Sequence, residues 1–186
     1  MIRPDGVFMD GRSGAVPKAN EHYSKPVAEL RGLYHDGAAF DDFLRESPHA
    51  IGYEVAGYRQ PGSDIFFGTT TMYPGKIGDE YFMTRGHYHV RDDCGEAYYT
   101  QSGTGLLLLQ TREGETSEVE MGPGVCAFIP PGWAHRSVNT GSNPLVFAWF
   151  CQTTAGHDYG DIVTRGMRRL AVERDGHPTI VSNPAF

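Results

Sequence analysis

The sequence lacks any apolar run long enough to cross a bilayer. Runs such as Leu106–Leu109 fall far short of the ~20 residues that a transmembrane helix needs. It also lacks a basic surplus: 16 Lys and Arg stand against 23 Asp and Glu, a formal net charge of −7. Such a chain suits neither nucleic acid nor an anionic membrane, and neither is expected as a partner. A small phosphorylated ligand stays open, because a pocket can be locally electropositive, above all around a metal ion. Cysteine is scarce. Cys94, Cys126 and Cys151 are too few and too scattered for a disulfide framework, and no CxxC pair occurs. That pattern fits a reducing compartment. Met1–Asp10 carries no apolar stretch of signal-peptide length, so a cytoplasmic protein is expected. Nothing resembling a linker, a repeat or a low-complexity tract divides the 186 residues, and one domain is expected.

What the chain has in quantity is punctuation, with 24 Gly and 12 Pro. Residues 1–50 read as an irregular arm, with a short strand near Gly6–Met9 and a brief helix over Ala38–Glu46. In that helix Phe40, Phe43 and Leu44 fall at helical spacing, and Pro48 ends it. From residue 51 short apolar runs alternate with turn residues. Ile51–Tyr58, Ile65–Tyr73, Glu80–Thr84, Glu96–Gln101, Gly105–Thr111, Thr116–Met121, Val125–Ile129 and Leu145–Phe150 are predicted strands. Turn signals between them include Pro74-Gly75, Ser102-Gly103 and Pro123-Gly124. Many short strands at this spacing predict an all-β antiparallel sandwich or barrel, its core over 51–160, with one or two more strands in 161–186.

Four residues suggest a metal. His87 and His89 are two apart, which on a strand puts both imidazoles on one face. Glu96 follows across the polar turn Val90–Gly95, and a hairpin there is expected to return its carboxylate to the histidines. His135 lies further on, after Pro130-Pro131-Gly132-Trp133. Three imidazoles and one carboxylate suit Fe²⁺, Mn²⁺, Zn²⁺, Ni²⁺ or Co²⁺, and six-coordination leaves two positions for substrate or water. An isolated HxH is common and says little; the spacing of the whole set says more.

That spacing resembles the cupin family at both of its motifs. The first appears as His87-x-His89, six residues, Glu96, six residues, Gly103, and the second as Gly124, five residues, Pro130-x-Gly132-x-x-His135-x-x-x-Asn139. The fold implied is a single-domain cupin, a double-stranded β-helix or jelly-roll barrel. Longer stretches narrow the resemblance. Thr70-x-x-Tyr73-Pro74-Gly75-Lys76-x-Gly78-x-Glu80-Tyr81-x-x-Thr84-x-Gly86-His87-x-His89 is similar to the cupin-type phosphoglucose isomerases of archaea and some bacteria. So are Trp133-Ala134-His135-Arg136-x-Val138-Asn139 and Ala155-Gly156-His157-Asp158-Tyr159-Gly160.

The resemblance implies interconversion of glucose 6-phosphate and fructose 6-phosphate with one divalent ion per chain, Fe²⁺ foremost. It also implies a homodimer whose N-terminal segments help form the interface. Carried over by position, Tyr53, Thr70, Thr84, Gly86, Tyr98, His157 and Tyr159 line the sugar-phosphate pocket. The threonines and Gly86 face the phosphate, the tyrosines face sugar hydroxyls, and His157 aids ring opening near neutral pH. Glu96 is both ligand and candidate base for moving a proton between C2 and C1. One departure stands out: the family often has Tyr-Pro, whose Tyr helps hold the phosphate, where this chain has Cys151-Gln152. Three other readings share the ligand set. One is an iron dioxygenase, disfavoured by a pocket of Tyr and Thr; another is a non-catalytic sugar-phosphate-binding cupin; the third is an isomerase that also accepts mannose 6-phosphate.

Overall fold

The structure, a computed structural model, describes residues 3–186. Strand β1 (Glu21–Pro26) leads through a 3-10 turn, Val27–Leu30, to helix α1 (Gly37–Glu46). Strands β2 (Ile51–Arg59), β3 (Ile65–Met72), β4 (Lys76–Ile77) and β5 (Glu80–Tyr81) follow. Beyond an irregular stretch come β6 (Glu96–Ser102), β7 (Gly105–Gln110), β8 (Thr116–Met121), β9 (Cys126–Ile129), β10 (Ala134–Asn139) and β11 (Leu145–Gln152). The chain closes with α2 (Gly160–Arg165), β12 (Arg169–Arg174) and β13 (His177–Ser182).

A six-stranded sheet has the order β1-β2-β3-β11-β6-β9, and a three-stranded sheet the order β10-β7-β8. A smaller sheet, β13-β12-β5-β4, adjoins them. Neighbouring strands are antiparallel throughout, for example Phe147 opposite both Thr70 and Thr100. Met72, Tyr98 and Phe147 from the first sheet meet Leu107, Leu109 and Val138 from the second in one buried cluster. This is the jelly-roll barrel of a cupin, with its core between the two sheets.

Helix α1 begins where the Asp36 carboxylate accepts from the Ala39 N–H at 2.9 Å, a cap that satisfies one orphan donor. Phe40 is buried against Tyr34, and Phe43 sets its edge on Phe82. These are residues whose spacing predicts the helix.

Four expectations need correction. The segment Gly6–Met9 forms no strand; the chain near it is tied locally, with the Asp10 carboxylate accepting from the Arg12 and Ser13 N–H groups. The arm nonetheless supplies β1, which the sequence does not announce because it is a mostly exposed edge strand with no apolar alternation. Strand β5 ends at Tyr81 rather than Thr84, and from there the chain runs to β10, where Thr84 N–H donates to Ser137 O at 2.9 Å. Strand β10 itself goes unpredicted: all six of its residues are buried, so it shows neither alternation nor an apolar run.

Candidate metal centre and pocket

His87 lies in the stretch between β5 and β6 and bridges to β10. Its N–H donates to His135 O at 3.2 Å, and His135 N–H donates back to His87 O at 3.1 Å. That exchange brings two imidazoles edge to face with centroids 4.4 Å apart, and the His89 ring stands 5.7 Å from His87 and 5.4 Å from His135. Glu96 arrives from the opposite side. It opens β6, in the six-stranded sheet, paired with Cys151 and Ile129. The expected hairpin from His89 to Glu96 is therefore absent. The turn 90–95 crosses from one sheet to the other, and the four residues meet across the barrel.

The ligand atoms of His87, His89, Glu96 and His135 all lie within 4.8 Å of one another. An ion with bonds of ~2.0–2.2 Å places its ligands ~3–4 Å apart, so the cluster fits one ion with modest adjustment. The donor chemistry also fits. His89 Nδ1 is 2.9 Å from the Cys94 carbonyl oxygen. A carbonyl only accepts, so Nδ1 carries the hydrogen and Nε2 the lone pair. That lone pair faces Glu96 Oε2 at 3.1 Å, as does His135 Nε2. Acceptors turned on each other inside a protein call for a cation between them, either a proton or a metal ion. His87 Nε2 and His135 Nε2 are buried with no hydrogen-bond partner; the 3.1 Å contact of His135 with Glu96 is off the hydrogen-bonding angle. Buried, unpaired ring nitrogens are costly unless something binds them.

Burial and the other imidazoles hold His87 well below the usual histidine pKa, so it stays neutral and able to ligate. Burial also resists the charge of Glu96, but His135 and His89 outweigh it and bring the carboxyl down to about 2. For His89, burial is likewise outweighed by Glu96 and the Cys94 carbonyl, and its pKa rises.

Above the cluster opens a cavity of about 130 Å³. Tyr53, Thr70, Thr84, Gly86, Tyr98, His157 and Tyr159 all line it, as do His87, Glu96 and His135; His89 sits behind them. Thr84 Oγ1 accepts from Ser137 N–H at 3.0 Å, which leaves its own hydrogen free to donate. Tyr98 stacks on Phe147 at 4.7 Å and meets the His135 ring edge-on at 5.7 Å. The His157 ring lies 4.1 Å from that of His87, and its Nδ1 is 3.2 Å from the Tyr159 hydroxyl. Burial lowers the His157 pKa.

Further residues line the cavity, most of them with no signal in the sequence. Arg85 lies between Thr84 and Gly86, its guanidinium 5.2 Å from the Tyr159 ring centroid. It is the only Arg or Lys among the lining residues. Glu21 and Tyr23 reach the cavity from β1, and Trp149 and Cys151 wall it from β11. Cys151 thus stands in the pocket wall, where burial pushes its thiol up to about 12.

A family profile described as "Glucose-6-phosphate isomerase (GPI)" matches residues 24–183. A glucose-6-phosphate isomerase of Thermococcus kodakarensis is 41% identical over 186 residues, covering 99% of this chain and 97% of that protein. One from Thermococcus gammatolerans is 43% identical, with the same coverage. A bacterial one, from Sinorhizobium medicae, is 40% identical over 95% of this chain and 83% of its own length. Among solved structures, oxalate decarboxylase from Bacillus subtilis overlays with a TM-score of 0.46 and 21% identity, over 59% of this chain and 27% of that one.

Proposed function

The chain belongs to the glucose-6-phosphate isomerase family, and on that premise we propose that it interconverts glucose 6-phosphate and fructose 6-phosphate at one divalent metal ion held by His87, His89, Glu96 and His135. The observation that supports the metal is the convergence of buried, partnerless ring nitrogens on a carboxylate at the floor of the cavity. Bound there, the ion supplies Lewis-acid stabilisation of the negative charge that develops on the sugar's C1 and C2 oxygens. Among the ions that suit this donor set Fe²⁺ is the first choice, with Mn²⁺, Zn²⁺, Ni²⁺ and Co²⁺ as alternatives.

The chain's own groups divide the remaining work. Glu96 is ionised at neutral pH and takes the C2 proton, returning it to C1. So low a pKa makes it a weak base. Its ~10²–10⁴-fold help therefore accompanies charge stabilisation and positioning rather than replacing them. His157, with Tyr159 on its Nδ1, exchanges a proton with the anomeric hydroxyl to open the ring. Tyr53, Tyr98 and Tyr159 hold sugar hydroxyls. Thr70, Thr84 and the Gly86 backbone take the phosphate. The single-domain enzyme acts as a cytoplasmic homodimer, with the N-terminal arm contributing to the interface.

A coupled assay tests this reading. Metal-stripped protein is given fructose 6-phosphate and each metal in turn, and glucose 6-phosphate is detected. Restoration by at least one of the five ions supports it; equal turnover with and without metal overturns it.

A further inference from the structure

Arg136 follows the ligand His135 on β10 and is wholly buried, at 0% exposure. Its guanidinium does not reach the cavity. Nε and Nη2 both donate to the backbone carbonyl of Arg85, at 3.2 and 2.7 Å. Nη1 has no partner, nor has Glu80 Oε1. A buried, incompletely paired cation is expensive, and apolar residues of the same volume usually stabilise as well or better. The expense calls for a return other than stability.

The geometry of one peptide supplies it. Among the described residues there are no cis peptide bonds, so the Arg85 carbonyl and the Gly86 N–H point in opposite directions across a planar unit. The carbonyl is turned to Arg136, away from the cavity that Arg85 and Gly86 line. The Gly86 N–H is therefore turned toward the cavity, and it has no partner among the described residues. Gly86 has φ +75°, so this peptide sits at a sharp change of direction between the two points, Thr84 and His87, where the segment is bonded to β10. The free Thr84 hydroxyl hydrogen lies on the same turn.

We infer that Arg136 is a positioning residue for substrate anion recognition: its guanidinium locks the Arg85–Gly86 peptide so that the Gly86 N–H is presented to the phosphate. A cation behind the carbonyl also polarises the peptide and makes that N–H a better donor to an anion. The inference rests on the sugar-phosphate reading above, and adds a role for a residue that touches neither substrate nor metal.

Two measurements test it. In the first, wild-type protein loaded with diamagnetic Zn²⁺ is titrated with inorganic phosphate and the Gly86 amide is followed by ¹⁵N–¹H NMR. A saturable downfield proton shift is expected; no change at saturating phosphate overturns the inference without bearing on isomerase activity. In the second, Arg136→Met, Arg136→Gln and Arg136→Lys are compared as metal-loaded enzymes. For Arg136→Met the KM for fructose 6-phosphate and the inhibition constant for phosphate should each rise about tenfold or more, as for a charge-assisted hydrogen bond lost. Metal content should stay near one per chain, and kcat should fall less than KM rises. Arg136→Lys, which keeps a cation and a donor, should recover part of the loss, and Arg136→Gln less. Loss of metal and kcat in parallel, with KM unchanged, would show that Arg136 supports His135 alone and overturn the proposal. If the Met variant fails to fold, the Lys and Gln pair and the wild-type titration still decide.

Discussion

Replacing Gly86 with Ala probes the turn on which the proposed metal and phosphate recognition both depend. Two costs follow from the structure. The residue has φ +75°, a left-handed conformation that costs an L-residue ~1–2 kcal/mol. An added Cβ would lie 3.0 Å from the His135 carbonyl oxygen and 3.1 Å from Arg136 Cβ. Neither neighbour yields freely. The carbonyl accepts from His87 N–H, and Arg136 is buried and bonded to Arg85. Relief of such a contact costs on the order of 1–3 kcal/mol, by analogy with overpacked cores. Against this, Ala has less unfolded-state entropy to lose, a gain of ~0.4–1 kcal/mol. The net expectation is a loss of roughly 2–4 kcal/mol. At ~2–4 °C per kcal/mol for a chain of this size, the melting temperature should fall by about 4–16 °C. Because the strain falls on the bridge between His87 and His135, metal affinity should weaken too. Thermal unfolding by circular dichroism with and without metal, together with elemental analysis, checks both. A melting temperature within about 2 °C of the parent and unchanged metal content would refute the argument.

The remaining predictions concern chemistry. Glu96→Gln keeps an oxygen that can ligate but loses the basic carboxylate, so it should retain much of its metal, lose at least ~10²-fold in turnover and stop exchanging the C2 hydrogen with solvent deuterium; near-native turnover at full metal occupancy would exclude the base role and favour a hydride shift. His87→Ala/His135→Ala should abolish metal binding, and unchanged metal by elemental analysis would remove the assignment. Metal retention in the parent should weaken as pH falls, because each imidazole must be unprotonated to ligate and the His89 pKa is raised; a pH-independent metal dissociation constant between pH 5 and pH 8 would contradict this. Thr84→Val should raise KM about tenfold by removing one donor to the phosphate, and should cost ~1 kcal/mol of stability because Ser137 N–H loses its acceptor. An unchanged kcat/KM would take Thr84 out of the pocket.

The sequence by itself determined the parts of this protein that are written in local patterns. Alternation and turn residues marked most of the strands, and the helical spacing of Phe40, Phe43 and Leu44 marked α1. The convergence of His87, His89, Glu96 and His135 was legible because the set combines rare residue types at tight motif spacing. The placement of Tyr53, Thr70, Thr84 and Tyr159 around one cavity was legible through resemblance alone, since Tyr and Thr on strands are ordinary. Tertiary structure decided what depends on elements distant in the chain. It showed that Glu96 comes from the opposite sheet rather than from a hairpin, because pairing with Cys151 and Ile129 fixes β6 there. It placed β1 and the buried β10, which carry no alternation because one is an exposed edge and the other is enclosed on every side. And it gave Arg85 and Arg136 their positions. An arginine's type announces only a charge; whether that charge lines a cavity or is spent on a single carbonyl in the interior is fixed by which chain segments close around it.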